Sequence, residues 1–545
     1  MITLDVDLFT DISGPYVDES ACAAWVLCDR HDPESTAYTV VEDNGAAKAV
    51  TYGELHNESI RLANGFRDLG VQPGTRVATL LHKGPELVTT MLAVWRLGAV
   101  YVPLFTAFAG KAVEFRIHTA QVGLVITDTA QRGKLPDLTG SPIKVVVVDG
   151  AGEPEDVDYR TLLATASTKD LGAFVQGPDG PLVHMFTSGT TGSPKGVIHP
   201  LRQAAGWHSY LKYGLGVAND DVYWCAADPG WAYGLYAGIV APLANGTGAI
   251  LQAGAFEPTA AWKIIENLGV TNLTAAPTVY RALRTHFPVL PSRTRLKRLS
   301  SAGEPLTPEV NVWAGEQLGL EVHDHFGQTE VGMVFGNVHH PAIARKVVPG
   351  SMGYPLPGWA ATVLGEDEAM ELAPGVMGRV AIDVAKSPAM TFRSYQDPSQ
   401  TASRFTRDGR FYLLGDLGHR DADGAFHFAS RDDDVIIMAG YRIGPFEIES
   451  MLSEHPAVAE SAAIAAPDAD RGEVLEAYVV LSDGWEPSDA LRQDLQGFVK
   501  SHYAAHAYPR SIHFIQELPK TPSGKIQRYV LRQQRRSEVE KAGQL

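Results

Sequence analysis

Cysteine is scarce in this chain: Cys22, Cys28 and Cys225 are the only three among 545 residues. An odd set without regular spacing forms no disulfide framework and suits a reducing compartment. Basic charge is also short, with 46 Lys and Arg against 63 Asp and Glu and a formal net charge of -17. That balance argues against nonspecific nucleic-acid binding, which needs a basic surface to neutralise phosphates. The local run Arg293-Thr294-Arg295-Leu296-Lys297-Arg298 reads first as a solvated face, with local anion contact as the alternative. No stretch of about 18 unbroken apolar residues is present to cross a bilayer. The opening Met1-Ile2-Thr3-Leu4-Asp5-Val6-Asp7 lacks the basic leader and apolar run of a signal peptide. The expectation is a cytoplasmic protein that engages neither membrane nor nucleic acid.

What is present is an ordinary globular composition, 45% hydrophobic and 20% charged. At this length one core gives way to several subdomains. β-rich runs at Arg76 to Leu81 and Gly123 to Thr127 alternate with helical patterns such as Glu86 to Leu97. The rhythm returns as helix over Trp262 to Leu268, strand over Asn272 to Ala275 and helix over Val279 to Phe287. This alternation predicts an α/β fold with layered, mainly parallel sheets. From about Gly375 shorter β-like pieces appear, with Asp-Gly turns at Asp408-Gly409 and Asp423-Gly424. A large N-terminal domain over residues 1–432, with a β-rich subdomain over about 350–432, is therefore expected. Arg431-Asp432-Asp433-Asp434 breaks the pattern, and residues 433–545 are expected to form a small, mobile α+β lid. Its helices are read at Phe446 to Leu452 and Leu491 to His502, its strands at Ala462 to Ala466 and Ala477 to Leu481.

One segment carries chemistry. Thr187-Ser188-Gly189-Thr190-Thr191-Gly192-Ser193-Pro194-Lys195-Gly196 follows the apolar run Val183 to Phe186, which reads as a strand. Glycines let the backbone approach a bulky anion, and hydroxyls with a lysine neutralise phosphate charge. The spacing matches neither the Walker loop nor Gly-x-Gly-x-x-Gly. Taken alone, a flexible surface turn remains the competing reading.

The loop has companions in a fixed order: Ser301-Ala302-Gly303-Glu304-Pro305, Asp324-His325-Phe326-Gly327-Gln328-Thr329-Glu330, Leu414-Gly415-Asp416, Ser430-Arg431-Asp432-Asp433-Asp434, Gly440-Tyr441-Arg442-Ile443-Gly444-Pro445 and Thr521-Pro522-Ser523-Gly524-Lys525. Together they resemble the motifs of the acyl-adenylate-forming superfamily, which includes acyl-CoA synthetases, luciferases and peptide-synthetase adenylation domains. The resemblance runs from about Thr51 to Arg532, nearly the whole chain.

The resemblance implies a role for each motif. Thr187, Ser188, Gly189, Thr190, Thr191 and Lys195 would hold the β and γ phosphates of ATP. Gly303, Glu304 and Pro305 would line the adenine pocket, and Asp324, His325, Phe326, Gly327 and Gln328 would continue the nucleotide site. Phe326 would stack on the purine, where the family more often has Tyr or Trp. Asp416 would accept both ribose hydroxyls, since an ionised carboxylate offers only acceptors. Arg431 and Arg442 would assist at ribose and phosphates, Thr329 would donate to the α phosphate, and Glu330 would help hold Mg²⁺. The implied first step is attack of a substrate carboxylate on the α phosphorus, which releases pyrophosphate. Lys525 would stabilise the developing charge once the lid closes. Rotation at Asp433 would then withdraw Lys525 and bring Gly440 beside the thiol of coenzyme A. Without its neighbours the acidic run at Asp432 to Asp434 would read as a solvated turn, and Ser430 stands where the family usually has glycine. A lysine acyltransferase acting on Lys525 would cancel its charge.

Only twenty residues follow Lys525, too few for a carrier-protein domain. Gly440 to Glu449 looks most like acetyl- and medium-chain acyl-CoA synthetases, so free coenzyme A is the expected acceptor. The alternatives are an enzyme that loads a separate carrier protein and a nonenzymatic nucleotide-binding regulator. A homo-oligomer stays open. Gly327 stands where acetyl-CoA synthetases carry Trp, and is expected to open an indole-sized space for acids longer than acetate. Trp231, Tyr233, Gly234, Val331 and Gly332 are candidates for the rest of the acyl wall. None is charged, which points to a short-to-medium-chain or aromatic monocarboxylate.

Overall fold

The computed structural model describes the chain except residues 1, 151, 171, 188–193, 292, 305, 368–369, 432–433, 435, 439–440, 469–471, 503–507, 522–524 and 542–545, and, as backbone only, 2–6, 437, 441, 442 and 472. Ser188, Gly189, Thr190, Thr191, Pro305, Asp433, Gly440 and the Arg442 side chain thus lie outside the described residues.

Two large sheets form the body. The first has seven strands in the order Val157–Asp158, Lys144–Val147, Val122–Thr127, Arg76–Leu80, Val100–Pro103, Pro181–Thr187, Lys195–Pro200. All its pairs are parallel except the closing hairpin of Pro181–Thr187 with Lys195–Pro200. The second has nine, with a parallel centre of Val322–Gln328, Arg298–Ala302, Asn272–Ala275, Tyr223–Cys225, Ala249–Gln252 and Thr36–Val41, and antiparallel strands at both edges. Central strands such as Val100–Pro103 and Asn272–Ala275 are buried along their whole length, as strands covered on both faces must be.

Local chemistry sets many helix starts. Thr51 accepts from the Glu54 amide while the Glu54 carboxylate accepts from the Thr51 amide, a reciprocal cap that opens the helix Tyr52–Asp68. Pro85, Pro258, Pro277, Pro308 and Pro445 each stand in the first helical turn, where a missing N–H leaves no bond unmade.

The β-rich segment forms a four-stranded antiparallel sheet of Ala361–Leu364, Gly378–Asp383, Phe411–Arg420 and Phe426–Arg431. The foreseen Asp-Gly turns join or precede its strands, with Gly409 at φ 70° and Gly424 at φ 91°. Beyond it, the hairpin of Ile436–Met438 and Tyr441–Ile443 shares a separate core with the helices Pro445–Ser453 and Asp489–His502 and with the three-stranded sheet Val458–Asp468, Gly472–Leu481, Ser511–Phe514. Ile436, Met438, Ile443, Ile448, Leu452 and Leu495 all belong to that core. The last helix, Arg528–Lys541, has no counterpart in the sequence reading. Its buried apolar side chains are only Leu531 and Val539, too few to show a periodic stripe within a charged run. Among the described residues no helix is long and apolar enough to cross a membrane.

Candidate active site

Three of the motifs stand at the carboxyl ends of strands Pro181–Thr187, Arg298–Ala302 and Val322–Gln328, the edge at which open α/β sheets bind ligands. Strand Pro181–Thr187 delivers Thr187, and the returning strand delivers Lys195 directly opposite it. The Lys195 ammonium stands 5.0 Å from the Tyr395 ring centroid. Strand Arg298–Ala302 runs into Gly303, which adopts φ +98° with open space where a Cβ would project. Next to it the Glu304 carboxylate accepts from Thr278 Oγ1 at 2.7 and 2.9 Å and from Arg281 at 2.7 Å.

Strand Val322–Gln328 carries the following motif. Burial pushes the Asp324 carboxyl well above the usual range, and its Oδ1 has no partner among the described residues. The His325 ring is occupied on both sides, Nδ1 by the Tyr210 hydroxyl at 2.8 Å and Nε2 by the Asn337 carbonyl at 3.0 Å. Burial drives its pKa down to about 3, so it is a neutral structural imidazole. Phe326 lies beside Phe335 and Phe428, and Phe428 in turn approaches Phe446 of the helix Pro445–Ser453 at 6.0 Å. Gln328 donates through Nε2 to the Leu414 carbonyl at 2.6 Å and to Asp416 Oδ2 at 2.7 Å. Asp416 is 2% exposed, and its other oxygen accepts from Arg431 at 3.1 Å.

Thr329 and Glu330 follow the strand. The Tyr236 hydroxyl donates to the Thr329 carbonyl at 2.9 Å while His199 contacts the same hydroxyl at 2.9 Å, which links this turn to the strand that starts at Lys195. Glu330 is 5% exposed, and its Oε1 accepts from the Tyr395 hydroxyl at 2.6 Å, with Arg404 at 3.5 Å. Tyr236, Tyr395 and Arg404 were invisible to sequence reasoning because they lie in segments of ordinary composition.

Lys525 reaches this cluster from the far end of the chain. Its loop is closed by hydrogen bonds between the Thr521 amide and the Lys525 carbonyl, 2.8 Å, and between the Lys525 amide and Thr521 Oγ1, 3.1 Å. The Lys525 pKa is lowered, chiefly by burial; Arg431 adds to that shift while Glu304, Glu330 and Asp416 oppose it. Residues 304, 330, 416 and 431 are therefore all within electrostatic range of one ammonium. Lys525 is nonetheless exposed to solvent, so protein surrounds its ammonium without covering the side chain.

Two glycines of the expected acyl wall are closely packed. A Cβ on Gly327 would lie 2.4 Å from the Gly332 carbonyl oxygen, 2.6 Å from Met333 Sδ and 2.8 Å from Met333 Cα. This glycine permits close approach of the neighbouring strand Gly332–Gly336. Gly234 is similar: a Cβ would meet the Asp228 carbonyl oxygen at 2.1 Å, within its own turn. Val331 is wholly buried, and its carbonyl accepts from Gln203. Gly332, at φ +78°, abuts the Trp207 indole nitrogen. Trp231 packs on Phe105 and Phe108 at 5.4 and 5.5 Å between ring centroids. Tyr233 hydrogen-bonds Tyr210 and Thr274.

Among the described residues no group of three or more His, Cys, Asp or Glu could hold a metal by itself. A single carboxylate with one oxygen already tied, as at Glu330, fits a cation whose other ligands come from phosphates and water.

Comparison with known proteins agrees with this geometry. A family model described as AMP-binding enzyme matches residues 28–395, and one described as AMP-binding enzyme C-terminal domain matches residues 447–525. The acetyl-coenzyme A synthetase of Bacillus subtilis (strain 168) is 37% identical over 520 residues, covering 94% of this chain and 90% of its own. The mitochondrial acyl-coenzyme A synthetase ACSM3 of Mus musculus is 35% identical over 517 residues, covering 91% and 86%. The crystal structure of Brucella canis acyl-CoA synthetase superimposes with a TM-score of 0.76 at 40% identity, covering 99% and 98%.

Proposed function

The chain belongs to the AMP-binding enzyme family as an ATP-dependent, AMP-forming acyl-CoA synthetase, and on that premise we propose that it activates a short-to-medium-chain or aromatic monocarboxylate. The observation that carries the reading is the position of Lys525 within range of Glu304, Glu330, Asp416 and Arg431. A cation held over these groups suits the first half-reaction, in which a carboxylate oxygen bonds to the α phosphorus and the bond to pyrophosphate breaks. Charge builds on the α-phosphate oxygens, and Lys525 and Arg431 supply the fixed positive field that stabilises it. Coenzyme A sulfur then forms the thioester bond and AMP leaves.

The remaining residues divide the nucleotide between them. Asp416, oriented by Gln328 and Arg431, accepts the ribose hydroxyls. The unpartnered Asp324 oxygen and the open face of Gly303 border the adenine with Phe326, while Thr187 and Lys195 take the phosphates. Thr329 faces the α phosphate. Glu330 would hold Mg²⁺ through its free side, and the ion would neutralise charge on the phosphates. The aromatic trio Trp231, Phe105 and Phe108 supports an apolar or aromatic acyl group. Asp433 serves as the hinge of a mobile lid comprising residues 433–545. Acylation of Lys525 would remove its charge and switch off the first step.

Pyrophosphate release measured across a panel of aliphatic, aromatic and amino acids tests the substrate class, followed by coenzyme A or holo-carrier protein as acceptor. Release with apolar monocarboxylates and thioester on coenzyme A is expected. Preference for an amino acid, or thioester on the carrier alone, would overturn the reading.

A further inference from the structure

Arg404 has no part in the roles assigned above, yet it touches both halves of the nucleotide site. It lies just before Phe405 in the connection to strand Phe411–Arg420. Its Nε donates to the Tyr395 hydroxyl at 3.0 Å, and that hydroxyl spends its single proton on Glu330 Oε1 at 2.6 Å. One terminal nitrogen lies 3.5 Å from the same Glu330 oxygen. The other donates to the Leu414 carbonyl at 3.0 Å, the carbonyl that Gln328 also binds. Leu414 is two residues from Asp416, and between them Gly415 adopts φ +72° with Arg404 so close that a Cβ would lie 2.6 Å from the guanidinium. Tyr395 is itself anchored to the phosphate-loop strand by a backbone bridge to Val197.

A planar guanidinium with a rigid fork of donors suits a bridge of this kind, where a flexible ammonium does not. Its three contacts fix Glu330, Tyr395 and the Leu414–Asp416 turn relative to one another. We propose that Arg404 is a positioning residue that sets the distance between the phosphate-side carboxylate, Glu330, and the ribose-side carboxylate, Asp416, so that both ends of the nucleotide are gripped together. This rests on the reading of Asp416 as the ribose acceptor. Loss of the fork leaves the Leu414 carbonyl with one donor fewer and frees the turn that aims Asp416. Tyr395 reports on the other arm, because its hydroxyl reaches Glu330 without touching the turn.

Calorimetric titration of the full-length protein with AMP, in metal-free buffer, separates these arms. Arg404→Met is expected to weaken AMP about tenfold, as loss of a charge-assisted hydrogen bond does. Arg404→Lys, which keeps the charge without the fork, is expected to stay weak, and it carries the measurement if the Met variant does not fold. Tyr395→Phe is expected to bind AMP within about twofold of the parent while its KM for ATP rises, since only the phosphate-side tie is cut. AMP affinity unchanged in both Arg404 variants, whatever their melting temperatures, would overturn the proposal. Asp416→Ala is the control: if it too leaves AMP binding unchanged, the ribose assignment fails; if it weakens binding while the Arg404 variants do not, the positioning role alone fails.

Discussion

Gln328 Nε2 lies 2.7 Å from Asp416 Oδ2, across 88 residues of chain. The same amide nitrogen binds the Leu414 carbonyl, so strand Val322–Gln328 of the nine-stranded sheet and strand Phe411–Arg420 of the four-stranded sheet are pinned at one point. A carboxylate that is 2% exposed and held by an amide on one oxygen and a guanidinium on the other has one orientation. Gln328→Ala is expected to raise KM for ATP roughly tenfold with a small change in kcat, because ground-state and transition-state binding of the ribose are lost together. Steady-state kinetics with varied ATP check this, and an unchanged KM would remove Gln328 from the nucleotide site.

Lys525 has a partial-reaction signature. Lys525→Ala is expected to lower pyrophosphate release by about a hundredfold or more, the scale of losing a group that stabilises transition-state charge. Thioester formation from supplied acyl-adenylate should remain close to the parent rate. Equal loss of both half-reactions would refute a lysine that serves only the first.

Lys525 also predicts the pH profile. Its pKa is displaced downward, chiefly by burial, and only the protonated amine can stabilise negative charge. The adenylation rate in the apo-enzyme limit, kcat/KM, should therefore fall on the alkaline side below pH 10.5, the ordinary lysine value, as the amine loses its proton. Lys525→Arg, whose guanidinium stays charged, should lose that alkaline limb even though its absolute rate is lower. A limb that persists in the arginine variant belongs to another group.

Gly327 and Met333 separate a space-filling role from a specificity role. A Cβ on Gly327 meets backbone at 2.4 Å, so Gly327→Ala is expected to lower the melting temperature by several degrees, the consequence of about 1–3 kcal/mol of overpacking. Met333 fills the volume beside that glycine, and Met333→Ala is expected to extend the preferred acid by one or two methylenes, each contributing about 0.8 kcal/mol. A chain-length panel scored by kcat/KM checks the second effect; an unchanged profile would exclude Met333 from the acyl pocket.

Buried histidines predict acid sensitivity. Burial lowers His199 and His325 to about 3, His184 and His208 to about 4 and His339 to about 2. Below pH 6.5 the unfolded chain takes up protons that the folded chain refuses, so stability falls as pH drops from 6.5 towards 4. Each such group contributes up to about 1.4 kcal/mol per pH unit across that window. Melting temperatures between pH 7.5 and 5 should decline steeply, with net proton uptake on unfolding.

Much of this was legible in one dimension, and the reasons are local. Strands such as Asn272–Ala275 and Val122–Thr127 are covered along most or all of their length and carry apolar or β-branched residues at most positions. The helical patterns read from Glu86, Val279 and Phe446 lie on helices that begin one or two residues earlier, at Pro85, Pro277 and Pro445, and the ordered motifs pointed to the chemistry through their resemblance to a known superfamily. The helix Arg528–Lys541 escaped notice because its two buried apolar residues form no stripe.

Three things waited on tertiary structure, for one physical reason: each depends on what stands opposite a residue in space. A Cβ on Gly327 would meet Gly332 and Met333, neighbours that no sequence pattern places there. Arg404 and Tyr395 carry no motif; their meaning comes from Glu330 and Leu414, which only folding brings to them. Lys525 could be named from the resemblance, yet only the fold brings it within electrostatic range of Glu304, Glu330, Asp416 and Arg431. The ordered motifs pointed to the reaction through their resemblance to a known superfamily; the packing of separate strands and the placement of the smaller C-terminal domain decided which side chains stand together.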